Sequence, residues 1–197
     1  MDGDHLLKKK LSVRIIIIWT IMTLLETALL WHCAMLRIGQ EIDSFKGVPV
    51  YYNGTKYDQS HGQNYSSDGY YYGNKWQCVE YVKRYYFQVK DHRMPDVMGN
   101  AKDFYDPRTP QGKLNQRRGL VQYRNGGGVK PQVDDLVVFT DSKYGHVAII
   151  TDVTENSVEI IQQNVLNSPR QSIKLQVKAG HYYLGTGKQP AGWLRKE

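Results

Sequence analysis

The periodicity of this chain changes once, and that change limits the folds open to it. From Cys78 to about Val89 the spacing is helical: Val79, Val82 and Tyr86 share one face, and Glu80, Lys83 and Arg84 suit another. Met94–Tyr105 suggests a second helix, with Ala101, Phe104 and Tyr105 facing inward and Pro107 stopping it. Residues 106–128 are loop-rich and close on Asn125-Gly126-Gly127-Gly128. Beyond them, residues 135–140, 145–151, 157–161 and 172–177 alternate as strands separated by short polar turns. A helical first half followed by an antiparallel meander is an α+β arrangement, with the nucleophile-bearing helix packed on an antiparallel sheet. Residues 45–52 form an expected edge strand, marked by Pro49. The polar segment 53–72 is a long loop of the kind that usually serves function, and its Gly69–Gly73 end leads into Cys78. No internal repeat is visible.

The N-terminal region differs from the rest. Residues 1–14 are polar and basic, with Lys8, Lys9, Lys10 and Arg14, and residues 15–36 are largely apolar. As a helix this run reaches about 33 Å, enough for a bilayer core of roughly 30 Å, although Glu26 near its middle costs about 2.5–3.5 kcal/mol if charged. The basic cluster precedes the run and only Arg37 follows closely. The positive-inside rule then places the N-terminus in the cytoplasm and the folded domain outside it. A cleaved signal peptide competes, but the run is long and no small-x-small site closes it, which favours an uncleaved single-pass signal anchor. The expected organisation is a basic cytoplasmic tail at 1–14, a transmembrane helix at 15–36, a tether at 37–44 and a catalytic domain at 45–197. The net charge of +7 is spread along the chain, which suits anionic surfaces; no motif for DNA or RNA is present, so no nucleic-acid partner is expected.

Two cysteines occur, Cys33 in the apolar run and Cys78 in the body, and no disulfide across that boundary is expected. Six scattered histidines without CxxC or HExxH spacing predict no metal site. Cys78 follows a Gly-led loop and opens the helix, so its sulfur stands where unpaired helix amides favour thiolate. The Cys78 amide can also help hold an oxyanion. A cysteine alone is more often a buried structural thiol, and a lone strand histidine is more often structural too. The pairing shifts the weight. His146 opens an apolar strand beside Gly145, placed to meet a helix N-terminus packed on the sheet. One hairpin later, Gln162-Gln163-Asn164 ends the neighbouring strand, and Gln162 and Asn164 are both candidates to accept the other imidazole N–H. Ten of the 15 tyrosines precede residue 90 and suit a ligand groove, although half-buried packing is their commoner fate.

Gly-Asn-Lys-Trp-Gln-Cys-Val-Glu-Tyr (73–81), Tyr-Gly-His-Val-Ala-Ile-Ile-Thr (144–151) and Gln-Gln-Asn-Val-Leu-Asn-Ser-Pro (162–169) resemble the CHAP-domain cysteine amidases. Within them the chain is most similar to the amidase domain of bifunctional glutathionylspermidine synthetase/amidases. The resemblance runs from about Phe45 to Arg195 and takes in Val48–Tyr51, Val133–Leu136 and Ala191–Leu194. It implies a papain-like fold and amide C–N hydrolysis through an acyl-enzyme without a cofactor, with the family nucleophile falling on Cys78 and its base on His146. The family glutamate position carries Gln162 here, with the family asparagine matching Asn164. A neutral amide stabilises an imidazolium less than a carboxylate does, so reduced activity or a shifted pH optimum is expected. The substrate implied is a glutathionyl–polyamine amide. An extracytoplasmic location points instead to peptidoglycan, and a catalytically weak binding module is the alternative of another class.

Overall fold

The computed structural model describes residues 2–166 and 168–197, with side chains from residue 14 onward except 31, 33–36 and 167. The chain divides into two compact units, Met1–Ile38 and Gly39–Glu197.

The first unit is a single helix, α1 (Asp2–Leu36). Its described apolar side chains, including Ile15–Ile18, Trp19, Leu24, Leu25 and Leu30, are exposed. Among the described residues, no helix is long and apolar enough to cross a membrane. The transmembrane span expected at 15–36 is therefore not found. Glu26 interrupts the apolar run, and residues 31 and 33–36 of it lie outside those whose side chains are described. Cys33 and Leu36 lie outside the residues whose side chains are described.

The second unit begins earlier than expected. The tether predicted before Phe45 contains a strand, β1 (Glu41–Phe45), which forms a hairpin with β2 (Val48–Tyr51). The long polar segment holds a second two-stranded hairpin, β3 (Gln63–Tyr65) with β4 (Tyr71–Asn74). Helix α2 (Cys78–Lys90) lies within a residue of its predicted limits. It ends at Asp91, whose left-handed backbone (φ 45°) donates its N–H back to the Tyr86 carbonyl.

The helix expected over 94–105 is absent except for a 3-10 turn at Ala101–Phe104. The buried Arg118 guanidinium takes over the backbone there, donating to the carbonyls of Asp96 (2.6 Å), Met98 (3.1 Å) and Asp103 (3.1 Å). Ala101 and Phe104 are buried as expected.

The segment read as loop-rich contains β5 (Lys113–Asn115) and β6 (Leu120–Arg124). The four strands predicted beyond it appear as β7 (Leu136–Phe139), β8 (His146–Val153), β9 (Ser157–Ile161) and β10 (Arg170–Lys178). They are followed by β11 (His181–Leu184) and β12 (Gly192–Arg195). The order is β11-β10-β9-β8-β7-β12-β6-β5, every pair antiparallel.

This sheet closes on itself. Past β6, the Gly126 N–H donates to the Tyr182 carbonyl (2.7 Å) and the Tyr182 N–H to the Gly127 carbonyl (2.9 Å). Asn125 repeats the pattern with its side chain on both backbone groups of Leu184. The result is a barrel, and period-two alternation divides its side chains. Val137, Phe139, Ala148, Ile150, Ile160, Leu175, Leu184 and Trp193 form one core. Leu136, Val138, Val147, Ile149, Ile161 and Leu194 point the other way and pack with Tyr81, Val82, Tyr85 and Tyr86 of α2. Tyr86 fastens that contact, its hydroxyl donating to carbonyl oxygens of Asp134 (2.9 Å) and Leu194 (3.1 Å). The α+β arrangement, a helix packed on a large antiparallel sheet, matches that part of the expected fold class, whereas the transmembrane helix expected before it is not found among the described residues.

Candidate active site

The packing of α2 on the barrel brings the N-terminus of the helix to the start of β8. Cys78 is the first helical residue and Gln77 its N-cap, extended at φ −80° and ψ 158°. The backbone amides of Val147, Val79 and Cys78 itself lie close enough to the sulfur to favour its charged form. Val147 follows His146, so the sulfur lies against the backbone that carries the imidazole. Gly145 permits this placement: its φ is +73°, and a Cβ there would stand 2.4 Å from the Lys102 amide nitrogen.

His146 Nε2 is 2.9 Å from Gln162 Oε1. The Gln162 amide nitrogen donates to Gln171 Oε1 (3.3 Å), which leaves the amide oxygen facing the ring. His146 therefore donates through Nε2–H and keeps the Nδ1 lone pair free as a base. Of the two residues named as imidazole partners, the structure gives this contact to Gln162. Asn164 is engaged elsewhere: Oδ1 accepts from Asn53 Nδ2, and Nδ2 donates to the Tyr57 carbonyl and to Gln77 Oε1, each at 2.7 Å. The same-face rule for residues two apart does not reach it, because β9 ends at Ile161 and Asn164 has a left-handed backbone at φ 65°. Asn164 instead braces the loop that carries Cys78.

The electrostatics differ from the sequence expectation. A helix N-terminus favours thiolate, but burial of Cys78 dominates and pushes the thiol up to about 11; the three amides only moderate the rise. His146 moves the opposite way, down to about 4, chiefly because burial disfavours imidazolium and secondarily because Lys188 repels it. The Gln162 hydrogen bond and Asp141 oppose that fall without reversing it. Burial thus works against a Cys⁻/His⁺ ion pair and favours thiol beside neutral imidazole. A neutral imidazole with Nδ1 free can accept the thiol proton as the sulfur attacks.

Cys78, His146, Gln162 and Asn164 all line one cleft of about 1210 Å³. Tyr57 and Tyr71 reach it, whereas Tyr70, Tyr72, Tyr81, Tyr85 and Tyr86 are buried, so the tyrosine-rich first half mainly builds the core. Two residues of the site escaped the sequence reading. Gln77 links Asn164 to the Gln59 carbonyl (2.7 Å), and Gln163 bridges the Tyr51 amide (2.8 Å) and the Gln77 carbonyl (3.0 Å). Adjacency to Cys78 and Gln162 was their only signal. Among the described residues, no group of three or more His, Cys, Asp or Glu is placed to hold a metal ion.

Two outcomes follow from this electrostatic state. Iodoacetamide labelling of Cys78, read by mass spectrometry on its peptide, is expected to accelerate continuously from pH 6 to 10 toward the thiol value near 11. A rate plateau below pH 7 would reveal a Cys⁻/His⁺ pair and overturn the neutral assignment. Gln162→Glu places a carboxylate on the imidazole and should carry the His146 pKa from about 4 back toward the ordinary histidine range. Labelling at pH 7 should rise by about tenfold or more. An unmoved His146 titration in that variant, followed by NMR, would show that Gln162 does not control the ring.

A family model described as the CHAP domain matches residues 65–164, 100 of the 197 residues and just over half of the chain. Trypanothione synthetase of Crithidia fasciculata is 31% identical over 162 residues, 75% of this chain and 24% of that protein. The bifunctional glutathionylspermidine synthetase/amidase of Escherichia coli is 33% identical over 138 residues, 62% of this chain and 22% of that protein. Glutathionylspermidine synthase of Crithidia fasciculata is 32% identical over 98 residues, 47% of this chain and 14% of that protein. The chain thus spans about a quarter or less of the length of these curated relatives. The matched region contains the cysteine that opens α2, the histidine that opens β8 and the strap after β9 that meets it: the chain belongs to the CHAP-domain family.

Proposed function

We propose that the domain is a cysteine amidohydrolase that cleaves an amide C–N bond through an acyl-enzyme. The observation that carries this reading is the convergence, in one cleft, of the buried Cys78 sulfur on the β8 backbone and a His146 ring fixed through Nε2 by Gln162. In this mechanism Cys78 attacks the substrate carbonyl as its proton passes to His146 Nδ1. Gln162 holds the ring while it is transiently cationic, and the Cys78 amide contributes to stabilising the oxyanion. Collapse breaks the C–N bond, and the amine leaves with the proton from Nδ1. Water, deprotonated at the same nitrogen, then hydrolyses the thioester and frees Cys78. No cofactor enters this scheme.

The substrate we infer is a glutathionyl–polyamine amide. Support comes from the similarity to the E. coli relative, a bifunctional glutathionylspermidine synthetase/amidase. A second reading, hydrolysis of peptidoglycan amide or peptide bonds, draws on the other unit of the chain. The exposed apolar face of α1, from Ile15 to Leu30, is preceded by a basic segment. We infer a single-pass anchor with the N-terminus cytoplasmic and the catalytic domain extracytoplasmic.

The full chain and its Cys78→Ala variant, each incubated with glutathionylspermidine and separately with purified peptidoglycan, distinguish these readings by mass spectrometry. Cys78-dependent release of spermidine is expected. Cys78-dependent muropeptide release alone would transfer the assignment to the cell wall, and inertness toward both substrates across a pH series would leave a binding module. The anchor has its own test: the full chain should stay with membranes through alkaline carbonate extraction, and appearance in the soluble fraction would refute it.

A further inference from the structure

Helix α2 buries charge where a helix packed on a barrel ordinarily buries hydrocarbon. Glu80, Lys83 and Arg84, which the helical spacing sets on a face apart from Val79, Val82 and Tyr86, are all buried, Glu80 and Lys83 with no exposure at all. Lys83 spends its charge on backbone, donating to the carbonyls of Tyr71 (2.5 Å) and Val97 (3.0 Å). Glu80 does something different. Its Oε1 accepts from Arg84 Nε (2.6 Å) and from Asn64 Nδ2 on β3 (2.7 Å). Its Oε2 accepts from Gln163 Nε2 (2.7 Å), with Arg84 completing a longer contact at 3.4 Å. One carboxylate two residues after Cys78 thus gathers two remote segments, β3 through Asn64 and the strap through Gln163, beside Arg84 on its own helix.

The contact with Gln163 bears on the site. The next residue back, Gln162, is the one that holds His146. The Gln163 side chain donates to both Glu80 and the Gln77 carbonyl, the residue before Cys78. The strap carrying the imidazole partner is therefore tied to the helix carrying the nucleophile, on both sides of the nucleophile. The backbone around Glu80 is also built for this contact. Gly73 on β4 has φ +142°, and a Cβ there would stand 3.2 Å from the Glu80 amide nitrogen, Cα and Cβ. A glycine at 73 is what lets the β3–β4 hairpin, and Asn64 with it, close over the carboxylate.

We propose that Glu80 is a positioning residue of the site, its carboxylate locking Gln163, and through it the Gln162–His146 contact, in register with Cys78. This rests on the reading of Cys78 and His146 as the reacting pair. The competing account is that Glu80 and Arg84 form only a buried i,i+4 ion pair that stabilises α2. The two differ in what Glu80→Gln does. The Arg84 guanidinium requires an oxygen, so the new amide turns its NH₂ toward Gln163 Nε2 and sets donor against donor. The substitution keeps the shape and breaks the strap contact.

The test uses the full chain with ¹⁵N-labelled histidine. The Nε2–H signal of His146 is assigned by its loss in His146→Asn, and its solvent exchange is measured alongside thermal unfolding. In Glu80→Gln and in Gln163→Met the exchange is expected to accelerate at least tenfold. On whichever amide the parent cleaves, kcat should fall roughly ten- to hundredfold with KM little changed. Asn64→Ala, which removes a Glu80 contact that does not lead to the strap, should leave the His146 signal at its parent value. If Glu80→Gln and Gln163→Met lower the unfolding temperature but leave His146 exchange and kcat unchanged, the residue is structural and the proposal is overturned. If Glu80→Gln does not fold, Gln163→Met alone decides. The NMR arm needs no substrate, so failure of the hydrolase assignment and failure of this inference are separately visible.

Discussion

The seating of the α2 N-terminus on β8 is the contact on which the rest depends. It brings the Cys78 sulfur near the Val147 amide, next to the point where Gly145 lets the loop before β8 pass close to Lys102. The same closeness removes water from the sulfur and from the imidazole, and desolvation moves the two groups in opposite directions, both toward the neutral form. The helix terminus and the nearby amides pull toward thiolate, but they act on a group from which the solvent has been stripped. In the proposed hydrolysis a proton passes from the sulfur to Nδ1, so the orientation of the ring matters more than a stored charge.

That orientation is distributed through amides. Gln162 fixes the ring, Gln171 fixes Gln162, Gln163 bridges Glu80 and the residue before the nucleophile, and Asn164 braces Gln77 and Asn53. An amide offers one donor group and one acceptor, so each link in such a chain dictates the polarity of the next. Gln162 meets the imidazole with a neutral amide, and Gln171 fixes which way that amide points. Glu80 is the charged anchor of the network, balanced by Arg84 inside the protein.

The barrel supplies the rigidity that this geometry needs. Without the bridge between Gly127 and Tyr182 the eight strands would be an open sheet with β11 as a free edge. Closure gives the inner side chains a core of their own and leaves the outer ones for α2. One face of the strands therefore stabilises the scaffold while the other positions the nucleophile helix.

The sequence by itself determined the α+β class, the limits of α2, the four meander strands and the convergence of Cys78 with His146, because each is written in local periodicity or in a short motif. Its errors have a common cause. The 94–105 helix yielded to Arg118, which captures the carbonyls a helix would have used. β5 and β6 were missed because short strands in a turn-rich segment gain their stability from β12, which lies some 70 residues further on. The burial of Glu80 and Arg84 was not legible because burial of a charged pair depends on partners, here Asn64 and Gln163, that no local window contains. Asn164 looked like a second imidazole partner because strand alternation was extended past the end of β9. Tertiary structure alone decided which way the protonation of the pair is pushed, since desolvation is a property of the whole packed environment and not of the residues that titrate.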